Sequence, residues 1–339
     1  MEIFEREIYK RYIETLKASS VLPQNSGCET AAVNPRKIFF DELLDRYDVF
    51  CFDGYGTLYN RGDFVYPGAR DWFSLLRKAG KQLRLITNAA SDVDAVLARD
   101  AGKRGFDFTE EETISSGSLL KDLVKKLRGE SLSGNQLAEN KQASAACSLT
   151  GCKLALREVY YIGRESGKNV LTACGIDAVA SDAYPEEPLV AISSAKETDE
   201  TYARAVEILR RPGAVLLVLN SDAWAPKIDG SREPVSGALG ERLRRDSMCE
   251  ANGGNGCTTY YLGKPFPAIW NKVRDSLPTS LFGGREPRVI MIGDTLGTDV
   301  LGARVAGFDC ALVVGRNEPA SELEKDQIDL GILPDYYLV

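Results

Sequence analysis

The sequence predicts an α/β protein: a parallel-sheet core interrupted by a second, inserted α/β domain. From about residue 47, short apolar runs alternate with amphipathic stretches, in the order VFCF, GARDWFSLLRKAG, LRLI and VDAVLARDAGKRG. That is the pattern of strand-helix-strand units. It returns late in the chain as PAIWNKVRDSL, RVIMI, LGTDVLGARVAG and CALVV. Between the two lies a region with strand candidates of its own, and 339 residues exceed what one hydrophobic core usually spans, about 250 to 300.

In chain order, EIFEREIYKRYIETL places Ile3, Phe4, Ile8, Tyr12 and Leu16 at roughly helical spacing. Residues 1–35 therefore read as a docking helix followed by a polar linker. Residues 36–115 and 258–335 form the expected core, and 116–257 the insert. Within the insert, VYYI, PLVAIS and AVLLVL are strand candidates, and TYARAVEILRR is a helix between the last two. Two polar stretches without apolar period, RGESLSGNQLAENKQASAACSLTG and CEANGGNGC, read as surface excursions.

Composition narrows the function classes. A formal charge of −7 disfavours a nucleic-acid partner, which needs a dense basic surface, and points to a small substrate. No segment approaches the roughly 18 consecutive apolar residues of a membrane helix, and the N-terminus lacks the order of a signal peptide. The eight cysteines show no C-x-x-C pairing and read as free thiols in a reducing compartment, so the expected location is cytoplasmic. The chain has no histidine, which removes every Ser-His or Cys-His nucleophile. Chemistry must rest on carboxylates, lysine, hydroxyls and metal.

Four segments carry that chemistry. In VFCFDGYGTLYN an apolar run ends at Asp53, where an open α/β sheet delivers side chains to its ligand crevice. Gly54 and Gly56 allow a tight turn whose N–H groups can approach a phosphate. KQLRLITNAAS ends a second strand at Thr87 and Asn88, YYLGKPFPAIW presents Lys264, and RVIMIGDTLGTDV ends a third strand at Asp294 with Asp299 five residues on. A carboxylate nucleophile repels a phosphoryl group, so Mg²⁺ and a lysine must neutralise both. Asp294 and Asp299 are hard oxygen ligands of the kind Mg²⁺ prefers, and Lys264 is a point charge.

Taken singly, these residues have plainer roles. Asp53, Asp294 and Thr87 suit helix N-caps, Asp299 suits a first helical turn, and Lys264 suits the surface. Trp72 and Trp270 read as packing residues on helices, and Trp224 carries a functional reading only through its neighbours Asn220 and Asp222.

Together, DGYGTL, ITN, GKPFPAI and GDTLGTD in this order resemble the haloacid dehalogenase-like (HAD) hydrolase superfamily, over roughly residues 40 to 320. FTEEETISSGS at 108–118, and LNSDAWAP at 219–226 in place of an N-P-D loop, resemble the NagD-like and 4-nitrophenylphosphatase-like class with a large α/β cap. The resemblance implies a Rossmann-like core and a magnesium-dependent phosphatase acting on a small phosphorylated metabolite through an aspartyl phosphate. It implies Asp53 as nucleophile and Thr87 and Lys264 as phosphate ligands. It implies Mg²⁺ held by Asp53, the Tyr55 carbonyl, Asp294 and Asp299. Specificity would lie in the cap loop with Asn220, Asp222 and Trp224, and caps of this class often mediate homodimers.

One position departs from the pattern. Most phosphatases of the superfamily carry a second aspartate two residues after the nucleophile, and Tyr55 stands there. With a pKa of about 10, tyrosine can donate a proton but is a poor base at neutral pH. A rescuing carboxylate such as Asp63 or Asp222 is then required. The alternatives are a low-turnover binding or regulatory protein and a 2-haloacid dehalogenase, whose DxYGT form matches but which lacks the Gly-Asp of the fourth motif.

Overall fold

The computed structural model describes residues 3–22, 35–129, 154–249, 254 and 256–339. Seven parallel strands form the larger sheet, in the spatial order Arg36–Ile38, Tyr336–Leu338, Asp309–Val313, Val289–Gly293, Val49–Phe52, Gln82–Thr87, Thr113–Ser115. Val49–Phe52 is central and fully buried, as its unbroken apolar run requires of a strand covered on both faces. Its side chains alternate. Val49 and Cys51 join a cluster with Met291, Trp270 and Val273, while Phe50 and Phe52 join Phe40, Phe73 and Phe106 on the opposite face.

From this central strand the chain builds outward through Gln82–Thr87 to Thr113–Ser115, then returns to the other side at Val289–Gly293. The strand order reverses at Val49–Phe52, so a crevice opens beyond the carboxyl ends there. The covering helices follow from sequence. Pro267–Asp275 starts on proline and buries Ile269, Trp270 and Val273 along one face.

The insert carries its own parallel sheet, ordered Thr258–Tyr261, Val215–Val218, Leu189–Ile192, Glu158–Ile162, Asp177–Ala178. Helices Asp199–Leu209 and Ser236–Asp246 close one face with Ile208, Leu209, Leu239 and Leu243. Two expected boundaries shift. Thr258–Tyr261 pairs with Val215–Val218, so the insert's sheet runs past residue 257, and Tyr336–Leu338 pairs with Asp309–Val313, so the core sheet runs past 335. Neither strand could be assigned from its own sequence, because pairing partners decide membership of a sheet. A short ladder, Trp224–Pro226 with Arg232–Pro234, occupies part of what read as a loop.

The N-terminal helix spans Ile3–Ala18 and buries Ile8, Tyr9, Tyr12 and Leu16 in a cluster that contains residues of both sheets. The expected linker lies mostly outside the described residues, as do most of the two polar excursions and Cys28, Cys147 and Cys152. Cys51, Cys174, Cys249, Cys257 and Cys310 are free thiols. No helix of the described residues is long and apolar enough to cross a membrane.

Candidate active site

Asp53 stands immediately beyond the central strand, and its N–H donates to the Ile292 carbonyl at 2.9 Å, which registers it against Gly293 and Asp294. Lys264 is 1% exposed, and its Nζ donates to Asp53 Oδ1 at 2.5 Å and to Asp299 Oδ1 at 2.7 Å. One oxygen from each of Asp53, Asp294 and Asp299 lies within 4.8 Å of the others. Three strand ends and one turn thus deliver their charged groups to one buried point.

The GDTLGTD turn is organised by Asp299. Its Oδ2 accepts from the N–H groups of Asp294 (3.0 Å) and Thr295 (3.1 Å), and a wide π-type turn follows with Val300 N–H donating to the Thr295 carbonyl at 3.2 Å. Asp299 therefore spends one oxygen on Lys264 and the other on the turn. Asp294 is less engaged. Among the described residues it accepts only long bonds, from Thr295 Oγ1 and from the Asn317 N–H, both at 3.3 Å.

Burial and crowding shift the protons of this cluster. Burial pushes Asp53 up to about 7, against the pull of Lys264 and with Asp299 and Asp222 adding to the rise. Asp294 is held well above the carboxylate range by burial, then by Asp53 and Asp299. Burial alone would lower Lys264, but Asp299, Asp53 and Asp222 outweigh it and keep the ammonium charged. Three buried carboxylates around one ammonium leave excess negative charge, which a small divalent cation would satisfy through hard oxygens. The backbone makes room for that arrangement at Gly56, where φ is +100° and a Cβ would stand 2.1 Å from Asp294 Oδ2.

The other expected residues divide. Thr87 is buried, and its Oγ1 accepts from the Ala89 N–H at 3.1 Å, which leaves its proton to be donated. The Gly54 carbonyl closes the turn by accepting from the Leu58 (3.0 Å) and Tyr59 (3.1 Å) N–H groups, and the Gly56 N–H is taken by the Tyr59 carbonyl at 2.9 Å, so Gly56 serves the site by its missing side chain. Asn88 was expected to bind phosphate. Its Nδ2 instead donates to Asp222 Oδ1 (2.8 Å), the Lys264 carbonyl (3.0 Å) and Ser221 Oγ (3.1 Å), and its Oδ1 accepts from the Lys264 N–H at 2.7 Å. Asn88 positions Lys264 and the cap loop. Asn220 Oδ1 accepts from the Asp222 N–H at 2.8 Å and turns that loop.

Asp222 reaches the site from the cap through Asn88 and the Thr298 hydroxyl, and burial raises it to about 6. Asp63 is exposed on the core turn. The Tyr55 ring is 37% exposed and meets Tyr59 edge-on at 5.1 Å. Trp224, expected near substrate, packs edge-on against Phe4 of the N-terminal helix at 6.1 Å, so its placement answers to packing.

Sequence reasoning missed Asn317 and Thr298. Asn317 lies just beyond the strand next to Val289–Gly293, a position that the crevice rule could have flagged. Ser221, which stands where the N-P-D loop has proline, also escaped sequence reasoning as a contact, yet its hydroxyl donates to the Lys264 carbonyl.

Family models describe residues 50–177 as haloacid dehalogenase-like hydrolase and residues 261–338 as HAD-hydrolase-like. The chain belongs to the haloacid dehalogenase-like hydrolases. It is 27% identical over 304 residues to mouse (Mus musculus) chronophin, covering 88% of this chain and 91% of the relative. With the 4-nitrophenylphosphatase of Schizosaccharomyces pombe it shares 24% identity, over 88% of this chain and 93% of that one. A solved HAD-superfamily structure, a possible sugar phosphatase from Cytophaga hutchinsonii, superposes with a TM-score of 0.69 at 22% identity, covering 90% of this chain and 98% of that chain. The likeness of this HAD chain to NagD-like members extends to the α/β cap.

Proposed function

We propose that the chain is a magnesium-dependent phosphatase that hydrolyses a small phosphate monoester through an aspartyl phosphate on Asp53. The carrying observation is the buried cluster itself: a strand-tip carboxylate 2.5 Å from an ammonium, beside two more aspartates within 4.8 Å. HAD phosphatases use Mg²⁺. Asp53, Asp294, the Tyr55 carbonyl and Asp299 are the groups that would hold it. When bound, it offsets the charge of the phosphoryl oxygens and of the three aspartates.

Lys264 and the Thr87 hydroxyl bind the phosphoryl oxygens and orient phosphorus toward Asp53. An Asp53 oxygen forms a bond to phosphorus as the ester P–O bond breaks, and the leaving alkoxide takes a proton. Water then attacks phosphorus, releasing inorganic phosphate and restoring the carboxylate. With tyrosine at position 55, the proton transfers fall to Asp222, because Asn88 ties it to the Lys264 turn and its raised pKa of about 6 suits exchange near neutrality. Of the two carboxylates expected from sequence, it is the better placed. The cap loop around 220–226 covers the crevice and selects the substrate.

The relative named 4-nitrophenylphosphatase and the family support phosphate monoesters as substrates. The free thiols support a reducing, cytoplasmic setting. A second reading, a phosphate-binding protein with slow turnover, draws on Tyr55 alone. Incubation with 4-nitrophenyl phosphate, then with a panel of phosphorylated metabolites, with and without Mg²⁺, decides between them. Metal-dependent phosphate release that disappears in Asp53→Asn supports the phosphatase, and no release from any ester by the parent chain rejects it.

A further inference from the structure

The N-terminal helix precedes both family-matched segments, yet it packs directly on the site. Tyr9 lies against Gly297 of the GDTLGTD turn so closely that a Cβ at Gly297 would fall 2.2 Å from its ring. Tyr12 is fully buried, and its hydroxyl donates to the Ser221 carbonyl of the cap loop at 2.7 Å. Its ring meets Tyr261 at 5.0 Å and Phe266 at 5.1 Å, the residues that flank the Lys264 turn. Ser221 in turn donates to the Lys264 carbonyl, and Asn88 ties Lys264 to Asp222.

Ion pairs hold the helix to both bodies. Arg6 pairs with Asp326 at 2.8 Å on the core, and Arg11 with Glu241 at 3.3 Å on the cap. Glu5 pairs with Arg232 of the cap ladder at 2.9 Å, and Arg232 also donates to the Asn317 carbonyl at 3.0 Å, one residue whose N–H contacts Asp294. A cap joined to its core by two crossings is free to shift unless something spans the joint. Here the helix spans it.

We infer that Tyr12 is a positioning residue: it fixes the cap loop at Ser221 against the Lys264 turn, so that Asp222 and Lys264 meet the substrate in one register. This rests on the phosphatase reading for its kinetic consequence, but not for its structural one. Buried and neutral, the phenol stays a donor across the working pH range, because burial raises it well above its ordinary value.

The test is Tyr12→Phe in the full chain, which keeps the ring and removes only the hydroxyl. A net hydrogen bond lost at the loop predicts a roughly fivefold fall in kcat on 4-nitrophenyl phosphate with KM nearly unchanged. Amide hydrogen exchange is expected to quicken at 219–223 and 262–266, while Tm stays close to the parent's. Tyr160→Phe is the matched control. Its hydroxyl also donates to a carbonyl, that of Ser181 at 3.1 Å, but on the cap face away from the core, and its kcat is expected to match the parent's. Unchanged kcat and unchanged local exchange in Tyr12→Phe would overturn the inference, as would a uniform rise in exchange with a matching fall in Tm. If the parent releases no phosphate, the phosphatase reading fails by itself, and the exchange pattern still decides the role of Tyr12.

Discussion

Lys264 Nζ lies 2.5 Å from Asp53 Oδ1, and both groups are buried, which places this ion pair at the electrostatic centre of the candidate site. A charge at that depth is tolerable only while its partners remain. Lys264→Met should therefore lower turnover by about 100-fold or more. Lys264→Arg should not rescue it, because a planar guanidinium cannot occupy the place of a compact ammonium. Phosphate release, with circular dichroism to show that the fold persists, checks both.

Stability should depend on pH and metal together. Burial raises Asp53 to about 7 and Glu318 to about 8, both above their unfolded carboxylate values. Their favourable contribution is complete below the unfolded pKa and is lost as pH climbs through 7 and 8. The chelated protein should thus melt lower at pH 8.5 than at pH 5.5, and Mg²⁺ should restore more stability at the higher pH, where the carboxylates are ionised. Glu318→Gln retains an acceptor for the Leu296 N–H, which Glu318 Oε1 now holds at 3.0 Å, and should flatten the alkaline loss by about 2 °C. Thermal scans across pH, with and without Mg²⁺, read this directly; a flat profile would contradict it.

Proton transfer should respond to Asp222 and to position 55. Asp222→Asn is expected to cut kcat by about 100-fold and to remove a pH limb near 6. Asp63→Asn, on the exposed turn, should leave kcat intact. Tyr55→Asp should raise turnover of alkyl phosphates, whose leaving groups need a proton, by up to about 100-fold relative to 4-nitrophenyl phosphate. Loss of activity in Asp63→Asn with none in Asp222→Asn would reverse the assignment.

Gly56 should not tolerate a side chain. Its φ of +100° already disfavours one, and the Cβ would collide with Asp294 Oδ2. Gly56→Ala should cost about 1–3 kcal/mol of stability and weaken Mg²⁺ binding together. Denaturant unfolding and a metal titration followed by Tm test the pair of effects, and loss of stability with unaltered metal affinity would disconnect Gly56 from the site.

How far the sequence could be read follows from how each residue is placed. Asp53, Thr87 and Asp294 terminate buried apolar runs, so the local pattern both makes the strand and points to its end. Asn88 and Gly56 were recognised as site residues by the same pattern, but their partners were not, since an amide that binds phosphate and one that holds Lys264 look alike in sequence. The strands Thr258–Tyr261 and Tyr336–Leu338 were misplaced for a related reason: short segments take their identity from the strand beside them.

By itself, then, the order of apolar runs, carboxylates and lysine determined the α/β class and pointed to Asp53, Lys264, Asp294 and Asp299 as the residues of the proposed site. Those features depend on periodicity and on residues close to a strand end. Only the tertiary structure decided that Asp222 bonds Asn88 beside Lys264 while Asp63 stays exposed, and that Tyr12 bonds a carbonyl 209 residues away. Such contacts exist only after cap, core and N-terminal helix have packed together, because they are set by the relative position of three separately formed surfaces.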